Sequence, residues 1–236
     1  MMYKGIDTAA PISAEAAQKL KSLGYSFVGR YLVPEEGNLK WKALTAAEAK
    51  ILRGTGLAIL LCWETTASRA RSGARAGAED GMKAADRASK LEIPKDTAIC
   101  FAVDYDAPKS DYAAIEAYLR SAKRNIGNYK LGLYAPVAVL NQMKPIIDYG
   151  WQCYAWNYGE KSDVEAYQTA WQGDAAAKNL EKQLGFAVDL DEAKTLNGMW
   201  YEETPIEWAK RYGITGDVEI ACAIYNYHKA VKNGVI

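Results

Sequence analysis

Histidine occurs once in the 236 residues, as His228, and phenylalanine three times. A catalytic base or zinc ligand drawn from histidine has almost nothing to draw on. The four cysteines, Cys62, Cys100, Cys153 and Cys222, form no CxxC pair. Three of them sit inside apolar runs, where a thiol acts as a small hydrophobe, as expected of core filler made under reducing conditions. No GxGxxG or P-loop pattern follows a strand-like run, so nucleotide binding lacks its phosphate cradle. Lysine plus arginine equals aspartate plus glutamate at 29 each. With no basic cluster, nucleic acid is excluded as a partner. No apolar run approaches the ~20 residues of a membrane span. The N-terminus shows no basic stretch followed by an apolar one. The expectation is therefore cytoplasmic synthesis without a signal peptide.

What is present is a chain half hydrophobic and one quarter charged, able to bury a core without disulfides. Strand-like runs occur at Tyr3–Asp7, Ser26–Leu32, Leu57–Glu64, Ala98–Asp104, Lys130–Tyr134, Gly150–Asn157, Ala166–Gln172 and Phe186–Leu190. Helix-like runs lie between them at Ser13–Leu23, Thr45–Arg53, Ser72–Leu91, Asp111–Ile126 and Pro136–Ile147. Thr45 and Glu48 make a capping-box pair. Strict alternation of strand and helix predicts parallel strands, and about eight such units predict an α/β fold closed as a (β/α)8 TIM-like barrel. The linkers at 160–165 and 174–184 are short, so irregularity is expected in the last units. An open doubly wound sheet is the alternative. The predicted barrel covers residues 1–196. Residues 197–236 read as a small helical module, with Ile206, Trp208, Ala209 and Tyr212, then Ala221, Ile224, Tyr225 and His228, at helical spacing.

Acids recur at the strand ends: Asp7, Glu64, Asp104 with Asp106, and Asp189 with Asp191. In a parallel barrel these ends share one mouth, where such enzymes hold their active sites. Residues i and i+2 of a strand share a face, which would turn Asp104 and Asp106 the same way. Crowded carboxylates raise one another's pKa, giving the protonated and ionised pair that glycoside hydrolysis uses. A single such aspartate is more often a helix cap, and Asp106 before Ala-Pro could simply shape a turn. Acids on four strand ends argue for a functional cluster. Seven Trp and sixteen Tyr favour aromatics with a polar handle, suited to stacking sugars. Arg30, Tyr134, Tyr154, Trp156 and Gln172 are the candidate substrate contacts, and Arg30 is also expected to pair with a mouth acid. Trp151 and Trp156 fall on opposite strand faces. No cofactor or metal is called for, although an acid cluster could hold a divalent cation.

Gly5-Ile6-Asp7, Gly29-Arg30-Tyr31, Trp63-Glu64 and Phe101-Ala102-Val103-Asp104-Tyr105-Asp106 together resemble the glycoside-hydrolase-like domain of the DUF1906 family. Gly132-Leu133-Tyr134, Ala170-Trp171-Gln172 and Val188-Asp189-Leu190-Asp191 extend the resemblance over residues 3–195. Those domains are similar to the GH25 lysozymes, β/α-barrel muramidases of phages and bacteria. The resemblance implies a lysozyme-like hydrolase of the peptidoglycan glycan strand, of phage-endolysin type and monomeric, without cofactor. In GH25 the fourth strand ends Asp-x-Glu, with the Glu as general acid and the Asp as its partner. Asp104 matches the Asp, while Asp106 stands at the Glu position, one methylene shorter. The implied roles make Asp106 the acid, Asp104 its partner, Glu64 the reserve acid, and Asp7 and Asp189 orienting groups. A catalytically weak glycan-binding barrel is the rival. The 197–236 module resembles small cell-wall-associated helical modules that follow such domains.

Overall fold

The computed structural model describes residues 2–157, 159–163, 165–169, 175–201, 213–214 and 218–232. Eight strands close into one ring: β1 (Tyr3–Asp7), β2 (Phe27–Tyr31), β3 (Ala58–Trp63), β4 (Ala98–Ala102), β5 (Lys130–Ala135), β6 (Tyr149–Gln152), β7 (Glu165–Thr169) and β8 (Asp189–Ala193). Strands β1 to β7 run parallel. β8 is antiparallel to both β7 and β1. The mixed α/β, TIM-like architecture thus departs from a regular (β/α)8 barrel at its last strand. The helices are α1 (Ala14–Ser22), α2 (Ala46–Gly54), α3 (Gly73–Lys90), α4 (Tyr112–Asn125), α5 (Val137–Met143), α6 (Ala175–Leu184) and α7 (Val218–Lys232). The described residues between β6 and β7 contain no helix.

Period-two alternation divides the apolar residues into two cores. Inside the ring lie Phe27, Ala58, Leu60, Cys100, Tyr167 and Ala193. On its outer face Ile6, Val28, Ile59, Leu61, Phe101 and Leu133 pack against Leu20, Leu52, Ala84, Leu119 and Leu140 from the helices. Helix starts follow their caps: Ser13 Oγ accepts from the Ala16 amide at 3.2 Å, and Thr45 Oγ1 from the Glu48 amide at 3.1 Å. The Ala/Gly spacing of α3 is explained by its neighbour. A Cβ at Gly77 would lie 2.1 Å from the Tyr118 carbonyl oxygen of α4, so only glycine permits that approach.

β8 returns the chain to the base of the ring, which the following residues seal. Trp200 exchanges backbone hydrogen bonds with Ile59 at 2.8 and 3.0 Å, the Ala98 amide donates to the Gly198 carbonyl at 2.7 Å, and Met199 joins the inner core. The barrel unit accordingly runs to Tyr201, and a second compact unit takes 202–236. Residues 197–201 therefore belong to the barrel, not to the appended module. Ile206, Trp208, Ala209 and Tyr212 fall outside the described residues.

Candidate active site

The parallel strands deliver their C-terminal ends to one mouth, and the reversed β8 begins there. Asp7 ends β1, Tyr31 ends β2, Glu64 follows β3, Asp104 lies two residues past β4, Tyr134 belongs to β5 and Trp151 to β6. Together with Asp189 they line an open cleft of about 120 Å3. Asp189 opens its strand instead of ending it. It reaches the mouth because β8 is antiparallel, directly opposite Asp7 in register.

Trp151 forms the cleft floor. Gly29 makes room for it, since a Cβ there would meet Asp7 Cβ at 2.6 Å and the Trp151 ring at 2.8 Å. The indole Nε1 donates to Asp191 Oδ1 at 3.3 Å, and the ring meets Tyr134 edge to face at 5.0 Å. Asp191 is buried beneath that floor. Burial first, then the charges of Asp191 and Asp189, push the Asp7 carboxyl well above the ordinary aspartate range.

Two strands round the ring from Asp7, Lys42 holds Glu64 at 3.4 Å and lies 4.0 Å over the Tyr31 ring. Nothing in the sequence pattern singles out Lys42. It ends a 3-10 turn, Gly37–Lys42, in the loop after β2, and only the fold brings it beside Glu64. Burial, then the Glu64 charge, raises the Asp104 carboxyl, with Lys42 acting in the other direction. The neighbouring thiols are raised by burial, Cys100 and Cys153 to about 12, so they remain protonated and unreactive.

Four expectations change. Asp106 is exposed and does not line the cleft. β4 ends at Ala102, the Asp104 amide bonds to the Ala67 carbonyl at 3.0 Å, and the two-residue alternation lapses before Asp106. Tyr105 then ties the loop to Asp111 at 2.9 Å, and the charge of Asp106 falls on Tyr112, which opens α4. Arg30 borders the cleft but pairs with no mouth acid. Its position on β2 faces the helix layer, where Nε and Nη2 donate to Glu48 at 2.7 and 3.1 Å and Nη1 donates to the Thr8 carbonyl. Glu48 also accepts from the Ile12 amide at 2.9 Å, so the Glu half of the capping box serves this buried pair instead.

The other two concern aromatics. Trp151, not Trp156, faces the cleft, because β6 ends at Gln152 and Trp156 lies beyond it with a φ of 59°. Tyr154 is on the same loop, 44% exposed and outside the cleft lining. Trp171 and Gln172 fall outside the described residues. His228 is exposed on α7. Among the described residues no group of three or more His, Cys, Asp or Glu side chains is arranged to hold a metal ion.

A β/α barrel whose mouth collects carboxyls of unequal proton affinity beside aromatic rings is the architecture of glycoside-hydrolase-like proteins. The chain belongs to the Rv2525c-like, glycoside hydrolase-like domain family (DUF1906), which it matches over residues 18–230. It is 30% identical over 142 residues to the uncharacterized protein FadG of Bacillus subtilis, a stretch covering 56% of this chain and 25% of FadG. The chain thus corresponds to about a quarter of that relative's length.

Among solved structures, Rv2525c of Mycobacterium tuberculosis shares the fold with a TM-score of 0.70 at 21% identity, over 84% of this chain and 98% of that one. The modular autolysin LytC of Streptococcus pneumoniae shares it with a TM-score of 0.52 at 14% identity, over 81% and 46%. Rv2525c is a Tat-secreted protein. That finding overturns the expectation of cytoplasmic synthesis without an export signal. Among the described residues no helix is long and apolar enough to cross a membrane.

Proposed function

We propose that the mouth is a glycan hydrolysis site directed at the peptidoglycan strand, with Asp104 as general acid and Glu64 as its partner carboxyl. The observation that carries this reading is the placement of two carboxyls in different surroundings at neighbouring strand ends of one cleft. The Asp104 carboxyl is raised by burial and by Glu64, while Glu64 faces the Lys42 ammonium at 3.4 Å. A protonated carboxyl can donate to the glycosidic oxygen as the bond breaks. The second carboxylate can then stabilise the oxocarbenium-like centre or activate water. Asp7 holds a further proton at the floor, and Asp7 and Asp189 orient sugar hydroxyls. Tyr134 and Trp151 supply the aromatic wall.

Family membership supports the reaction class, and LytC, which shares the fold, has been solved with a synthetic peptidoglycan ligand. The bond beside N-acetylmuramic acid is the proposed point of cleavage. The 202–236 unit is proposed as a second wall contact.

A second reading, a glycan-binding barrel without turnover, is favoured by one observation. The position that holds the general acid in GH25 enzymes is Asp106 here, and it lies outside the cleft. Purified peptidoglycan separates the two readings. Hydrolysis predicts release of reducing ends by the wild type. Sedimentation with the wall without any release would transfer the function to binding.

A further inference from the structure

We propose that the glycan crosses the mouth along the line from β2 to β6, with Trp41 and Tyr154 as aromatic platforms for sugar rings at its two ends. The inference rests on the glycan reading above and adds the direction and length of the ligand.

Among the described residues of the barrel unit, the exposed large aromatics are Tyr3, Trp41 and Tyr154, at 40%, 60% and 44%. Tyr3 starts β1 at the base. The other two both stand on mouth-side loops, Trp41 after β2 and Tyr154 after β6. In a closed ring of eight, β2 and β6 are four strands apart in either direction, so the two loops face each other across the opening.

Each aromatic is next in sequence to a residue tied to the site. Lys42 reaches Glu64 at 3.4 Å, which pins the turn bearing Trp41 to the rim. Cys153 is buried, and its amide donates to the Ala135 carbonyl at 3.1 Å, which ties the start of the Tyr154 loop to the strand that carries Tyr134.

An indole left 60% exposed forgoes burial at about 25 cal/mol per Å2 of apolar surface. Its planar face and single N–H suit the apolar face and hydroxyl edge of a pyranose ring. Strands ~4.8 Å apart and tilted ~36° make an eight-strand ring about 15 Å across, with loops that stand wider still. A ligand touching both platforms is therefore an oligosaccharide, with the acids under its middle. A single sugar could occupy only the floor between Tyr134 and Trp151.

Calorimetric titration of the full chain with β-1,4-linked N-acetylglucosamine disaccharide and hexasaccharide tests this. The wild type is expected to bind the hexasaccharide on the order of a hundredfold more tightly than the disaccharide. Trp41→Ala and Tyr154→Ala should each weaken the hexasaccharide about tenfold, the loss of one aromatic contact, and leave the disaccharide unchanged. Trp41→Phe should retain most of the affinity, and all three variants should melt at the wild-type temperature. Equal wild-type affinity for the two lengths, or full hexasaccharide affinity in Trp41→Ala, would overturn the proposal. Failure of the wild type to bind either sugar would instead remove the glycan reading beneath it.

Discussion

The two ends of the barrel are made from the same strands and the same inward alternation, yet they hold opposite chemistry. At the base, Phe27, Ala58, Tyr167, Ala193 and Met199 fill the ring, and residues 196–200 seal it through backbone bonds to Ile59 and Ala98. At the mouth, the inward positions are Asp7, Glu64, Asp104, Tyr134 and Asp189, around an open cleft. Alternation therefore decides which way a side chain points, while residue identity at each level decides whether the level stabilises or reacts. The base buries surface and gives a single packed solution. The mouth gathers like charges that favour holding protons, a strain tolerated because the layers below are well packed.

The largest expected effects break the packed regions. Phe27→Ala empties the inner core at a fully buried position and should destabilise by about 3–5 kcal/mol, read from the denaturant midpoint. Glycan affinity per folded molecule should survive. Arg30→Ala should cost a similar amount, about 3–5 kcal/mol, because it leaves Glu48 charged and enclosed. A small effect from that substitution would mean that water reaches Glu48.

The mouth should respond with the opposite sign. The folded protein keeps the Asp7 proton that the unfolded chain releases near pH ~3.9, so stability falls as pH rises from there through the raised value. Asp7→Asn removes that dependence. It should raise the melting temperature at neutral pH by a few degrees, and the gain should vanish near pH ~4. A loss of stability at neutral pH would show that the Asp7 carboxylate contributes more than its repulsion costs. Asp106→Asn, on the exposed loop, should change stability by less than about 0.5 kcal/mol.

Much of this layout was legible because the first five strands are short apolar runs separated by helices, with acids at or just past the ends of β1, β3 and β4. Asp7, Glu64, Asp104 and Tyr134 were placed at one mouth on that basis alone, and Asp189 reached it as well. The strand in which Asp189 sits was misread in span and direction. Phe186 to Val188 precede the strand, and reversal of β8 is a property of the closing contacts with β7 and β1, which no local pattern encodes.

Asp106 was misjudged because alternation was carried three residues beyond the last ladder bond, from the Val103 amide to the Tyr134 carbonyl. Arg30 was assigned to the mouth because its true partner, Glu48, lies on a helix that only tertiary packing brings close. Lys42 was missed for the same reason, since a lysine in a short turn has no signature until the turn folds over Glu64.

The central claim is that Asp104 carries the acid chemistry in place of Asp106. It is tested most directly by measuring reducing-end release from purified peptidoglycan with Asp104→Asn and Asp106→Asn side by side. The account predicts a loss of about 10²–10⁴-fold for Asp104→Asn, as for removal of a general acid, with wall binding retained. Asp106→Asn should stay close to wild type. A loss in Asp106→Asn equal to or greater than that in Asp104→Asn would contradict it, and would require the loop after β4 to swing inward when the glycan binds.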